Sequence, residues 1–317
     1  MGQYFHLDGK QLQQQYKNHL SDYNEWDQRV HAKDWMLFEK NIGEYLSIDE
    51  TSLSNGELYT IITNKEARGR KGTIVAMIKG TESEYLIKIL KNIPESKRKK
   101  VKEITLDMAP SLNLVAKHCF PKASRVTDRF HVQKLAFEAV QEMRIKYRWE
   151  AIDSETEALN LAKKEKKDYT PEVFENGDTR KQMLARSRYL LFKNKYKWTE
   201  SQKARAKVLF EQYPKLEEAY NISMKLSNIF NTSTTTPQAF TRLARWYDEV
   251  EKTEFSSFKT VSRSIQMHYL TILNYFDNRS TNASAESFNA KIKAFRATQR
   301  GVRDVDFFLF RLKNIYA

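Results

Sequence analysis

The chain has 317 residues, 40% of them hydrophobic, which suffices for a buried core in one large domain or two ordinary ones and excludes wholesale disorder. Lys plus Arg number 54 against 40 Asp plus Glu, a net charge of +14 that points to an anionic partner, most commonly nucleic acid. The lone cysteine, Cys119, excludes an intrachain disulfide and a cysteine-clustered zinc site, and no apolar run is long enough to span a membrane.

The first ten residues, MGQYFHLDGK, lack the apolar core of a signal peptide, so a cytoplasmic location is expected. Residues 8–40 are polar and Gln-rich. Leu12, Tyr16 and Leu20, then Trp26 and Val30, predict one or two helices leading into a core. Three β-type runs follow: YLSIDETSL (45–53), ELYTIITN (57–64) and GTIVAMIKG (72–80). Asn55-Gly56 is a hairpin signal between the first two. A basic connection, KEARGRKG, joins the second run to the third. A helix over 83–93 ends at Pro94, the basic run ESKRKKVKE follows, and VKEITLDM (101–108) reads as a fourth strand. SLNLVAKHCF (111–120) predicts a helix and SRVTDRFH (124–131) a fifth strand. Three meander strands and then alternating helices and strands predict a mixed α/β sheet covered by helices, the element order of the ribonuclease-H-like fold. From 132 to about 275 the chain is helical and strongly charged, with NTSTTTPQAF (231–240) as a break between helices.

Three carboxylates stand out by position. Asp49 lies in the first predicted strand and Asp107 ends the fourth. In a ribonuclease-H-like sheet those two strands are parallel neighbours. Their acids then approach closely, and a shared Mg²⁺ or Mn²⁺ relieves the repulsion. A turn or cap role is the plain alternative for each. In NRSTNASAESFNAKIKAFRATQRGVRD (278–304), Phe288, Ile292 and Phe295 form an apolar stripe. Another face carries Asn282, Glu286, Asn289, Lys293 and Arg296, with Glu286 its one acid. That face suits a site holding a metal and a phosphate backbone, or it is an ordinary solvated face. Asp128 and His131, at the end of the fifth strand, are candidate accessory groups, or Asp128 caps the next helix.

The stretches LSIDETSL, ITLDMAPSL…FPKASRVTDRFHVQKL and NRSTNASAESFNAKIKAFRATQRGVRDVDFFLFRL resemble insertion-sequence transposases of the DDE class. The resemblance is nearest to the bacterial ISL-three type, ISAon-one-like group, and covers residues 41–317. It implies a ribonuclease-H-like core in two parts, 41–131 and 276–317, interrupted by a large all-α insertion at 132–275 and preceded by a helical lead-in at 1–40. It implies Asp49, Asp107 and Glu286 as a catalytic triad holding two Mg²⁺ or Mn²⁺ ions for DNA strand cleavage and strand transfer. Asp128 and His131 match a D-x-x-H signature, and Asn289 stands in the E-x-x-N stretch. Lys293 resembles a phosphate-contacting lysine.

Arg68, Arg70, Lys71, Lys97 to Lys100, Lys291, Lys293, Arg296, Arg300 and Arg303 are the cations expected to grip double-stranded DNA, both element ends and target. Trp198 and Trp246 are either buried core or stacking partners for an extruded base. The sequence departs from the family pattern at Ser287, where many relatives carry glycine. It also lacks a cysteine-bearing zinc module and helix-turn-helix ahead of the core. End recognition is therefore expected from a separate upstream polypeptide or from the missing part of a longer product. A homodimer acting at the nucleoid is the expected assembly. The rival classes are a non-catalytic DNA-binding remnant and a structure-specific nuclease on the same fold.

Overall fold

Six short runs pair into one mixed sheet in the computed structural model, which describes residues 8–53, 56–299 and 301–317. They are β1 (Trp35–Leu37), β2 (Tyr45–Ser52), β3 (Leu58–Asn64), β4 (Ile74–Lys79), β5 (Glu103–Leu106) and β6 (Ser124–Thr127). The spatial order is β1-β4-β3-β2-β5-β6. β1, β4, β3 and β2 pair antiparallel in turn, whereas β5 runs parallel to β2 and β6 parallel to β5. Parallel neighbours need a crossover, and the helices Ser83–Leu90 and Pro110–Cys119 supply two. This mixed α/β architecture is consistent with the ribonuclease-H-like expectation.

The strands are rich in Ile and Val and buried on both faces, as a sheet covered on two sides requires. On one face Leu46, Ile48, Ile104 and Leu106 pack with Leu86 and Leu90 of the first crossover helix and Val115 of the second. On the other, Tyr59, Ile61, Ile74 and Met77 pack with Phe288 and Ile292 of the helix Ala283–Thr298 and with Phe307 and Leu309 of the helix Val305–Tyr316. The unit that holds this sheet comprises residues 1–128 and 279–317.

Two expectations are corrected within it. Residues 8–40 are not helical throughout: Gly9–Gln15 is α-helical and Tyr16–Leu20 continues as a π-helical turn. Trp26 joins the core, Leu20 and Val30 face solvent, and Trp35–Leu37 becomes the edge strand β1. Met36, fully buried, fixes that choice, because pairing with β4 places it in the core while a surface helix would not. Asn55 of the hairpin signal lies outside the described residues, while Gly56 has φ +83, a left-handed value that glycine adopts without a Cβ penalty. The basic run 95–103 is not uniformly a phosphate-facing surface. Arg98 is buried, with Nε donating to the Ile93 carbonyl at 2.9 Å and Nη1 to the Cys119 carbonyl at 2.7 Å. It ties one helix end to the other instead of reaching solvent.

The second unit, residues 129–278, is built from helices around Arg129–Lys164. Pro214–Thr232, Thr236–Glu251 and Ser256–Met267 pack their apolar faces together, with Phe230, Trp246 and Phe258 buried. The Thr-rich break is a capped junction: the Thr235 hydroxyl accepts from the Gln238 amide, and Pro237 sits in the first turn. Asp178 is the buried acid of this unit. It accepts from Arg205 Nε at 2.7 Å and pairs with Arg186. Burial raises its carboxyl, but the Arg205 and Arg186 guanidiniums outweigh that effect and hold it below its ordinary value. The stability this supplies is fully present above the ordinary carboxylate value of about 4 and is lost as pH falls through the lowered one. Asp178→Asn is expected to cost about 3 kcal/mol at neutral pH. In urea titrations it should also flatten the loss of stability on acidification; an unchanged acid limb contradicts the assignment.

Candidate metal and DNA site

The register of the parallel strands sets the site. β2 and β5 pair Ser47 with Thr105, and Asp49 and Asp107 each stand two residues further on. β5 and β6 pair Leu106 with Thr127, so Asp107 and Asp128 are each one residue beyond that pair. Asp107 and Asp128 thus directly follow the ends of β5 and β6, while Asp49 stands level with Asp107 within β2, which runs on to Ser52. The Asp128 amide extends the ladder by donating to the Leu106 carbonyl at 2.9 Å.

The helix Ala283–Thr298 is held to β2 by its amides. Asn289 Nδ2 donates to Asp49 Oδ2 at 2.7 Å, and buried Asn282 Nδ2 reaches the Ile48 carbonyl at 3.5 Å. Phe288 and Ile292 bury the apolar stripe beneath, with Phe295 packed against them. Glu286, one turn before Asn289, is exposed, and its carboxylate lies within 4.8 Å of that of Asp128. Asp128 and Glu286 are thus a close carboxylate pair. Asp107 meets part of its plain alternative: its Oδ1 accepts the Ala109 amide at 2.8 Å, a turn that launches the helix at Pro110. Asp49 Oδ1 likewise accepts from the Glu50 amide at 2.9 Å.

The fifth predicted strand is shorter than expected. It ends at Thr127, so Asp128 follows it, and His131 falls in the first turn of the helix Arg129–Lys164. Sequence inspection missed Glu50. Its carboxyl is pushed up by burial first and then by the charges of Asp107 and Asp49, so a further acid shares this end of the sheet. The signal was its position beside Asp49, but strand alternation directs the two to opposite faces.

The cations are arranged around this edge of the unit. Arg68, Arg70 and Lys71 are exposed on the turn between β3 and β4, and Lys293 and Arg303 are exposed too. Arg296 is partly buried, and Arg300 lies outside the described residues. Lys291 is not a free cation: its Nζ donates to the Gly69 carbonyl at 2.8 Å and straps the basic turn to the helix of Glu286. Gly69 has φ +71, and a Cβ there would meet the Lys291 Nζ at 2.6 Å. Lys97 and Lys99 pair with Glu39 and Glu95. Trp198 donates to the Leu190 carbonyl at 2.8 Å and Trp246 to the Ile222 carbonyl at 3.0 Å, which places both in their own unit's packing.

The family model for DDE-class, ISL-three-type transposases matches residues 46–312. The chain belongs to this transposase family. Among the relatives it resembles are transposases for insertion sequence element IS1557 from two strains of Mycobacterium tuberculosis, each 24% identical, over 86% of this chain and 61% of theirs. The chain thus spans about three fifths of the length of these curated relatives. No solved structure matches. Among the described residues no helix is long and apolar enough to cross a membrane. For an ISL-three transposase the donor set fits a hard divalent cation: carboxylate oxygens at strand ends, no thiolate, and two carboxylates within 4.8 Å.

Proposed function

We propose that the chain catalyses metal-dependent strand cleavage and strand transfer of an insertion sequence. The observation that carries this reading is one helix whose Asn289 holds Asp49 of β2 and whose Glu286 lies within 4.8 Å of Asp128, with Asp107 level with both in the strand register. Asp49, Asp107 and Glu286 form the triad that would hold two Mg²⁺ or Mn²⁺ ions, with Asp128 and His131 as accessory groups. When bound, the ions supply an activated water and stabilise the leaving oxygen of a phosphodiester. The chain's own residues do the positioning. Asn289 fixes one Asp49 oxygen and thereby aims the other, and the Asp107 turn fixes its carboxylate at the strand end. Arg68, Arg70, Lys71, Lys293 and Arg303 bind backbone phosphates of the element end and target.

The helical unit is the insertion that precedes the last catalytic helix. A separate polypeptide, or an upstream portion of a longer product, recognises the element ends. The assembly is a homodimer acting in the cytoplasm at the nucleoid. The test is a Mg²⁺-dependent cleavage and joining assay on element-end DNA, with and without the upstream polypeptide. Cleavage without joining of a pre-cut end would instead identify a nuclease.

The strap between Lys291 and Gly69 gives a separate expectation. Gly69→Ala should cost about 1–2 kcal/mol, because a side chain is strained at that φ. It should also release the basic turn, so that the slope of log affinity against log salt for duplex DNA flattens by about 1–2. A salt slope equal to the wild type's would dissociate the turn from DNA binding.

A further inference from the structure

The helical unit carries a second basic surface, remote in sequence from the cations named around the carboxylates. Residues 186–197, RSRYLLFKNKYK, hold five cations and no acid. Among the described residues only Arg186 of the five is ion-paired, to Asp178. Arg188, Lys193, Lys195 and Lys197 are exposed, and so are two tyrosines, Tyr189 at 67% and Tyr196 at 85%. Each tyrosine has a neighbouring cation over its ring: Arg188 at 5.6 Å from the Tyr189 centroid and Lys195 at 5.7 Å from that of Tyr196.

This segment is not a slack loop. Four interior side chains grip its carbonyls and those just before it. Arg144 Nη1 donates to Leu184 at 2.9 Å and Gln141 Nε2 to Arg188 at 3.0 Å. Trp198 Nε1 donates to Leu190 and Tyr220 Oη to Lys193, both at 2.8 Å. Leu190 and Leu191 are buried beneath. The backbone is thus fixed from inside while cations and aromatic rings are presented outward. Neither tyrosine is needed for packing at such exposure, and an exposed ring beside unneutralised cations matches one chemistry well. Phosphates meet the cations while unpaired bases stack on the rings, a stacking that tolerates any base sequence.

We infer that Arg188, Tyr189, Lys193, Lys195, Tyr196 and Lys197 form a binding surface for single-stranded or unpaired DNA, made of residues other than those of the carboxylate site. This rests on DNA being the partner of the chain, as the proposed function holds. Melted or displaced strand is the form of DNA it fits.

The test uses the full chain and fluorescence anisotropy with mixed-sequence single-stranded and duplex oligonucleotides. Tyr189→Ser with Tyr196→Ser should lose about tenfold or more in affinity for the single strand. Duplex affinity should hold within about twofold, with an unchanged circular dichroism spectrum. Changing Lys193, Lys195 and Lys197 to Gln together should flatten the single-strand salt slope by about 2. Asp49→Asn, inactive under the proposed function, should bind the single strand like the wild type, so failure of catalysis and failure of this surface are told apart. Wild-type affinity for the single strand in the double tyrosine variant overturns the inference. So does an unaltered strand affinity accompanied by lost binding to phosphatidylserine vesicles, which would assign the surface to lipid.

Discussion

Asp49→Asn is expected to reduce strand cleavage and strand transfer by about 10³-fold or more, with duplex affinity within about twofold of wild type. The substitution keeps the size of the side chain and its place on β2, so the fold has little to lose. It removes a charge from the β2 position that is level with Asp107 in the parallel register. It also turns an acceptor of the Asn289 amide into a group whose own amide can face it. Asn289→Leu provides the graded counterpart. It leaves the Asp49 charge in place but unpositioned, and a supporting partner of this kind is worth about 10–100-fold. An Asn289 variant as inactive as Asp49→Asn would mean that the amide itself touches the reacting DNA.

Glu286→Gln is expected to be equally severe for cleavage, about 10³-fold, and to weaken Mn²⁺ binding by about 10–100-fold in calorimetry. Glu286 is exposed and packs nothing, so its loss should leave thermal stability unchanged. Asp128 makes the comparison informative. It is buried and within 4.8 Å of the Glu286 carboxylate. Asp128→Asn should therefore weaken Mn²⁺ binding alongside Glu286→Gln. If Asp128→Asn abolishes cleavage while Asp107→Asn spares it, the second acid of the triad is Asp128.

Much of the sheet was readable because period-two apolar runs with Ile and Val have few other uses. β2 to β6 lie where such runs stand. β1 was not readable: three residues between polar neighbours carry no period, and Met36 is buried only through pairing with β4, some forty residues on. The same holds for Arg98, whose carbonyl partners Ile93 and Cys119 are brought to it by the fold. At the site, sequence order placed Asp49 within one strand and Asp107 at the end of its parallel neighbour. The proximity of Asp128 to Glu286 was hidden, since it depends on where β6 stops and how a distant helix approaches. Lys291 was read as one of the DNA-gripping cations, and only its bond to the carbonyl of the left-handed Gly69 shows its role as a strap.

The central claim is that carboxylates far apart in the chain surround the same divalent ions. Iron(II) can replace Mg²⁺ at an oxygen-ligand site, and with ascorbate and peroxide it cuts the polypeptide backbone nearby. Mapping those cuts by mass spectrometry should give fragments ending close to residues 49, 107, 128 and 286, all suppressed by excess Mg²⁺. Cuts at only one of these segments, or cuts that excess Mg²⁺ leaves untouched, would contradict a shared metal site.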